Sequence, residues 1–480
     1  MSPSPARPFA LPVAAFAGGW ALMMLEILGG RLMAPQYGYS VYQWGAVIGV
    51  VLGFMAAGYW KGGQVGDGPR AIPALRGALL AGAVWSAATP WLGPGAIESA
   101  AASGPQTGSL LGAGLLLGVP SFALAMVSPI CAGMIAAEGR ASAAGRVYAI
   151  GTLGSIGGTF FAAFFAIPTI GVSAGYAVAA AILAAACAVV PGGRVYAVGA
   201  AALALGALGA AHKEGRGFAL YRETAHNTIY VRETAEEIRL HLNLLWATQS
   251  RLRKDGGPTG LYYDCFAAAP VLADGTRTLI LGLAGGVGAM NIQRAWPGAD
   301  ILGVELDPAV VQVAHERFGL KGVRTAVGDA RRFVETSAEQ HDVVVVDLYN
   351  GATIPFFTAT REFFQAVEKR VAPGGAVMMN IASPADETVL IGPLAATAKA
   401  AFPSVFVANV GGGNYFLIAT KEERTAADVR VRLERAPASA LYASLRLAER
   451  LEAVDTVAYP VLTDDRSDID LRSLVALYGR

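Results

Sequence analysis

The stretch Thr278–Asp307, TLILGLAGGVGAMNIQRAWPGADILGVELD, decides the fold of the second half of the chain. An apolar run, Thr278–Leu281, meets the glycines Gly282, Gly285, Gly286 and Gly288. A helical segment follows, and a second apolar run, Ile301–Val304, ends in Glu305. This is strand, tight turn, helix and strand, with an acid at the tip of the second strand. Glycines let the backbone approach a ligand closely, and a carboxylate about 20 residues on can hold two ribose hydroxyls. The stretch therefore predicts a nucleoside site.

Outward from it the same alternation continues. Strand candidates are 278–282, 301–305, 323–327, 342–347, 374–380, 403–409 and 414–420, with helical segments between most of them. That order predicts a mainly parallel, doubly wound sheet whose last two strands pair antiparallel. Ligands of such sheets bind beyond the carboxyl ends of the strands. Three acids fall there: Glu305 after ILGV, Asp329 in VGDA, and Asp347 closing DVVVVD. One alone would be ordinary turn capping; three in succession point to a ligand crevice. Upstream, Tyr221–Trp246 alternates in TIYVRET and IRLHLNLL, a β-hairpin or small antiparallel sheet. Downstream, about 425–480 carries a helical Leu/Arg/Glu pattern.

The first half is of another kind. The 480-residue chain is 54% hydrophobic and 15% charged, and up to about Ala211 charges are sparse. Apolar runs at about 10–33, 43–60, 72–93, 109–135, 147–167, 171–190 and 194–211 each approach the length of a bilayer span. Small residues at four-residue spacing, as in Gly154–Gly158, allow close helix packing. Glu26 and Arg31 are ionisable residues in or near the first span, and a structural ion pair is the simpler account of them. The basic residues Lys61, Arg70 and Arg76, and then Arg140 and Arg146, mark two connections as cytoplasmic. Seven crossings would then send the second half outside. A cytosolic substrate requires the opposite, so one run is not a simple span or another is hidden around Pro120 and Pro129. The domains expected are 1–211 (polytopic and helical), 212–274 (linker and small β-hairpin subdomain), 275–422 (Rossmann-like) and 423–480 (helical tail). The expected setting is the inner (plasma) membrane, with the second half in the cytoplasm.

Net charge is +1 without a basic, aromatic-interleaved cluster, which argues against nucleic acid as a partner. Cys131, Cys187 and Cys265 show neither metal-ligand spacing nor a disulfide framework. Five histidines with no ligand cluster call for no metal.

Taken together, these motifs resemble a spermidine synthase-type aminopropyltransferase fused to a membrane domain, over about 221–422 for the catalytic unit. ILGVELDPAVVQVA resembles the family's ribose-binding strand and helix, which implies Glu305, with its neighbour Leu306, at the ribose. VGDARRF resembles its adenine-binding motif, implying Asp329 and the adjacent Ala330. DVVVVDLYN resembles the strand ending in the catalytic aspartate, here Asp347. YYDCFAAAPVL matches Tyr262 and Asp264 to a third motif, and Gln249 matches an upstream glutamine. Gly282, Gly285 and Gly286 fall in the family's glycine loop. FFTATREFF, NYFLIATK and LTDDR also fit the wider group, as do Glu26 with Arg31 and Ala34–Pro35, GYWKGG and GTLGSIGGTF in the membrane half. The resemblance further implies a homodimer and no cofactor beyond S-adenosylmethionine (SAM) or its decarboxylated form.

The departures carry information as well. Gly285 stands where the family has an aspartate, Asn350 where it has a second acid, and Asn409 near a tyrosine. These groups hold amines in the family, and desolvating ammonium charges without carboxylates costs several kcal/mol each. The crevice thus keeps the nucleoside half and loses amine contacts. The expectation is a lyase that breaks the Cγ–S bond of SAM by attack of its own carboxylate, releasing 5′-methylthioadenosine and homoserine lactone or homoserine. Proximity favours such a step. Asp347 would stabilise the sulfonium while Tyr262 and Asn350 position the methionine chain. The alternative is polyamine aminopropyl transfer from decarboxylated SAM, with replacement acids from Asp464, Asp465 or Asp264. Methyl transfer, or a non-catalytic sensor or transporter, ranks behind both.

Overall fold

A computed structural model describes residues 9–37, 41–137, 141–211, 217–273, 275–384 and 387–478. Arg140 and residues 212–216 of the expected linker lie outside the described residues. The chain divides into two units, Met1–Arg216 with Glu223–Ala225, and Gly217–Arg222 with His226–Arg480.

The first unit is helical: α1 (Ala10–Tyr37), α2 (Val41–Val65), α3 (Ala71–Ala101), α4 (Pro105–Ala125), α5 (Val127–Ala137), α6 (Ala141–Phe160), α7 (Ile167–Thr169), α8 (Gly171–Val189) and α9 (Arg194–Ala211). A π-helical turn, Phe161–Ala166, joins α6 to α7. Among the described residues six helices are long and apolar enough to cross a membrane: Ala10–Tyr37, Val41–Val65, Ala71–Ala101, Pro105–Ala137, Ala144–Thr169 and Gly171–Val189. The seventh expected run is a shorter apolar helix over Arg194–Gly206. No additional span is hidden around Pro120 and Pro129; that segment is one span broken at Met126. The break follows from Pro129, whose ring clashes with the carbonyl four residues back, at Ala125, where α4 ends.

The glycines of α6 seat it on α1. A Cβ at Gly154 would lie 2.1 Å from the Phe16 carbonyl oxygen, and one at Gly158 would lie 2.1 Å from that of Trp20. The ion pair expected between Glu26 and Arg31 is not formed, and Glu26 makes no ion pair among the described residues. Five residues along a helix is a rotation of about 140° away from alignment, so the two side chains leave different faces.

In the second unit a four-stranded antiparallel sheet, β1 (Leu220–Glu223), β2 (Thr228–Glu233), β3 (Glu237–Leu242) and β4 (Ser250–Arg253), runs in sequence order. A 3-10 segment, Tyr262–Leu272, leads into β5 (Thr278–Leu281). Then follow α10 (Val287–Ala295), β6 (Ile301–Glu305), α11 (Pro308–Glu316), β7 (Arg324–Val327), α12 (Ala330–Thr336), β8 (His341–Val346), α13 (Arg361–Glu368) and β9 (Val371–Ala382). The chain ends through α14 (Glu387–Lys399), β10 (Ser404–Gly411), β11 (Asn414–Thr420), α15 (Ala426–Glu434), α16 (Ala438–Ala448), β12 (Leu451–Ala453) and α17 (Ile469–Tyr478).

All seven expected strands are present, and their sheet has the order β12-β10-β11-β9-β8-β5-β6-β7. β9, β8, β5, β6 and β7 are parallel, whereas β11 pairs antiparallel with both β9 and β10. β12 is a departure from the purely helical tail expected there: it pairs antiparallel with β10. Alternate residues of the central strands feed opposite cores. Ile280, Val343 and Val345 point to one, and Leu279, Leu281, Val344 and Val346 to the other. Central parallel strands are covered on both faces, which is why DVVVV and TLIL read as unbroken apolar runs. From β5 the chain moves one way through β6 and β7, and later returns to the other side of β5 with β8. The crevice forms at that reversal.

Candidate active site

β5 ends at Leu281, and Gly282 turns the chain with φ +91°. A Cβ on Gly282 would lie 2.1 Å from the Asp347 carbonyl oxygen, so only glycine lets the loop pass the end of β8. Asp347 is tied to the same place by its N–H, which donates to the Leu281 carbonyl at 2.8 Å. Ala284 has φ +47°, unusual for a residue with a Cβ. Its N–H donates to Glu305 Oε2 at 3.0 Å. Gly286, at φ +74°, starts α10. The glycine loop is therefore folded around Glu305 on one side and Asp347 on the other.

Asp347 is the centre of a hydrogen-bond network. The Tyr262 hydroxyl donates to Oδ2 at 2.9 Å and Asn380 Nδ2 donates to Oδ1 at 2.9 Å. Asn414 Nδ2 in turn donates to Asn380 Oδ1 at 3.0 Å. The Tyr349 hydroxyl donates to the Asn380 carbonyl at 3.1 Å and accepts from the Ala382 N–H at 2.7 Å, fixing β9 beside the end of β8. Burial pushes the pKa of Asp347 up to about 6, against the lowering effect of Asn380 and Tyr262. Burial, reinforced by the Asp347 charge, holds the Tyr262 hydroxyl well above its usual pKa. Among the described residues no Lys, Arg or His makes a hydrogen bond or ion pair with Asp347. A half-buried carboxylate with two neutral donors and no such counter-charge is suited to a ligand that brings a positive charge.

Glu305 is nearly buried, and its oxygens accept from the Ala284 and Asp307 N–H groups at 3.0 and 3.2 Å. Burial raises its pKa while those backbone donors oppose the rise. Beside it, Leu306 and Val327 are exposed at the ends of β6 and β7. They give an apolar border of the kind that a nucleoside base covers. Asp307 caps α11 by accepting from Ala309 N–H at 2.9 Å. Asp329 caps α12 through the Arg332 N–H at 2.8 Å, so it has the capping role as well as the strand-end position, and Ala330 begins that helix.

Other expected residues are engaged elsewhere. Asp264 accepts from Thr259 Oγ1 at 3.0 Å and from the Gly260 N–H at 2.7 Å, which closes its own loop. Gln249 Oε1 accepts from the Leu242 N–H at 2.8 Å and braces β3. Asn350 bridges to Thr353 through its backbone, N–H to carbonyl at 2.8 Å. Asn409 Oδ1 accepts from the Gly411 N–H at 2.9 Å in the hairpin turn. Asp464 is held by Arg331 at 2.5 and 2.7 Å and by the Thr360 hydroxyl at 2.7 Å, so it has no lone carboxylate to offer an amine.

Asn380, Asn414, Tyr349 and Ser250 are the residues that sequence reasoning missed. A signal existed for Asn380, the one polar side chain in the apolar run AVMMNIA of β9. Ser250 carried none. Its hydroxyl accepts from the Gly285 N–H at 2.9 Å, and a Cβ on Gly285 would meet Ser250 Cβ at 2.8 Å and Phe318 Cδ1 at 3.2 Å. The space for a side chain at Gly285 is filled. Gly285→Asp should therefore lose about 1–3 kcal/mol to overpacking and gain no affinity for amines. Thermal unfolding and amine-dependent turnover check both, and a stable variant with tighter amine binding would contradict the packing account.

No family model matches the chain. Among curated proteins it is similar to a "probable polyamine aminopropyl transferase" of Bifidobacterium longum (strain NCC 2705), 35% identical over 161 residues, which are 33% of this chain and 36% of that one. It is also similar to a "polyamine aminopropyltransferase" of Vibrio vulnificus (strain CMCP6), 30% identical over 110 residues, 22% of this chain and 37% of the relative. The chain thus spans little more than a third of the length of these relatives. Among solved structures, a "probable spermidine synthase from Corynebacterium glutamicum ATCC 13032" aligns with TM-score 0.40 and 20% identity over 50% of this chain and 99% of that one.

Proposed function

We propose that the chain, similar over about a third of its length to polyamine aminopropyltransferases, transfers an aminopropyl group from decarboxylated SAM to an amine. The observation that carries this is Asp347, a half-buried carboxylate with neutral donors and, among the described residues, no counter-charge, beside a glycine loop and a strand-end acid. The curated relatives support this alternative over the lyase expected first. Glu305 holds the ribose hydroxyls, Asp329 the adenine amino group, and Leu306 and Val327 border the base. The sulfonium and the incoming ammonium supply the positive charge that Asp347 lacks.

In the reaction the amine must first lose a proton, which Asp347, poised near neutrality, accepts and passes to solvent. The nitrogen lone pair attacks the sulfonium-bound carbon of the aminopropyl chain, and the C–N bond forms as the C–S bond breaks. The electron pair stays on sulfur, and 5′-methylthioadenosine leaves. Tyr262 holds the carboxylate in place throughout.

A second reading has its own support. Gly285 and Asn350 carry no charge, and Asp264 and Asp464 are spent on other partners, so the amine end has few acids. Cleavage of SAM by its own carboxylate needs none. Mass spectrometry of products separates the two. Aminopropyl transfer requires decarboxylated SAM and an amine together, whereas 5′-methylthioadenosine from SAM alone would replace it with the lyase.

We further place the soluble half in the cytoplasm. With six crossings, the connection bearing Arg70, the start of the fifth span with Arg146, and the chain beyond α8 share one side of the membrane. A full crossing by α9 would reverse this. A C-terminal reporter active only outside the cytoplasm should stay silent, and a signal from it would reject the assignment.

A further inference from the structure

Asn414 opens β11 directly after Gly411, Gly412 and Gly413, whose φ angles are +82°, +65° and +78°. This turn sets Asn414 opposite Ala382 in the β9–β11 register, one pleat from Asn380. Asn414, Asn380 and Asp347 then form a line across neighbouring strands, from β11 through β9 to the end of β8. Asn380 is 1% exposed, so water cannot replace its partners.

A carboxamide has a donor end and an acceptor end. Turned over, Asn380 would present its oxygen to the Asp347 carboxylate, acceptor against acceptor. With Asn414 Nδ2 on Asn380 Oδ1 at 3.0 Å, that end is already claimed and the N–H end is left for Asp347. The Asn380 backbone is held separately by the Tyr349 hydroxyl. What Asn414 governs is therefore the rotation of the amide, not the position of the strand.

We infer that Asn414 is a positioning residue for the chemistry at Asp347: it keeps the Asn380 amide donor-first against the carboxylate without touching the acid itself. This rests on the proposed role of Asp347 as proton acceptor. The titratable groups facing Asp347 are Tyr262 and Tyr349, with Asn380 as the neutral donor beside them. Both tyrosines stay protonated across the accessible pH range, because burial raises each above its usual value. The amide is then the adjustable group. Losing a donor to the ionised carboxylate disfavours the ionised form, so the proton affinity of Asp347 rises.

The test uses full-length detergent-solubilised protein carrying Asn414→Ala or Asn414→Asp. In the alanine variant the acidic limb of kcat/KM should move up by about 0.5 pH unit with kcat about 3–10-fold lower. The aspartate variant should be worse, with the limb about 1 unit higher or more, because its carboxylate draws the Asn380 N–H group away from Asp347. A merely structural Asn414 would lower Tm and leave the limb in place, and that result overturns the inference. Should the wild type turn over neither decarboxylated SAM with amines nor SAM alone, the proposed reaction is what fails. Asn414 is then judged without substrate, from the difference in Tm between pH 5 and pH 8. Asn414→Ala should widen that difference, and Asp347→Asn in the same chain should remove the widening. An unchanged difference rejects the positioning role whatever the reaction.

Discussion

Asp347→Asn should abolish most turnover, by about 10²–10⁴-fold, while making the protein more resistant to heat. The carboxylate is half-buried, and among the described residues no cation is hydrogen-bonded or ion-paired to it. An amide of the same shape still accepts from Asn380, and its N–H group donates to the Tyr262 oxygen, reversing that hydrogen bond. What disappears is the proton acceptor and the cost of burying a charge. The folded-state pKa is about 6 against an ordinary 3.8, so ionised Asp347 destabilises the fold. That cost is absent below pH 3.8, grows between 3.8 and 6, and is complete above 6. A rise of about 2 units corresponds to on the order of 2–3 kcal/mol. Thermal unfolding should show the variant ahead at pH 8 and level with the wild type near pH 4. Binding of 5′-methylthioadenosine should change little, because the residues expected at the ribose and base lie on other strands. In the wild type, kcat/KM should fall on the acid side with a midpoint near 6. Unimpaired turnover in Asp347→Asn would remove the acid from the mechanism.

Gly282→Ala should act through the backbone and be the more damaging to the fold. A Cβ there would sit 2.1 Å from the Asp347 carbonyl oxygen, a main-chain atom that cannot swing aside, and φ is +91°. The positive φ costs about 1–2 kcal/mol in an L-residue, and the overlap adds about 1–3 kcal/mol. The two strand ends that define the crevice would be driven apart. Nucleoside binding by calorimetry and thermal unfolding should both suffer. A Gly282→Ala protein that unfolds like the wild type would mean that this turn is not the clamp described.

Much of this was legible in the sequence where chemistry and strand order coincide. Glu305 and Asp347 end apolar runs, and in a parallel sheet strand ends converge on one edge, so local pattern sufficed to bring them together. Asn414 and Ser250 were not legible because their partners, Asn380 and Gly285, lie 34 and 35 residues away and meet them only through strand pairing. Asp264 and Gln249 present the opposite situation. Their positions match a motif, but nearby backbone donors occupy their side chains. β12 was missed because Leu451–Ala453 is too short to show an alternation. The segment around Pro129 suggested an extra span, because a proline break in a long apolar run resembles a boundary between two.

The order in which the sheet is assembled has a consequence for how the protein is made. Its central pair, β5 and β8, can form as soon as residue 346 has been synthesised, whereas β9, once made, must wait for β11 to pair its outer edge, and β10 for β12. Asn414 must arrive before Asn380 is oriented, and the edge of the sheet waits for Leu451. α17 arrives last of all, with Ser473 accepting from the Ile354 N–H at 3.3 Å and Asp470 from that of Phe356, in the loop that follows Asp347. A nascent chain that has not reached Leu451 therefore carries unpaired strand edges, and the brace that α17 gives the loop after Asp347 comes later still.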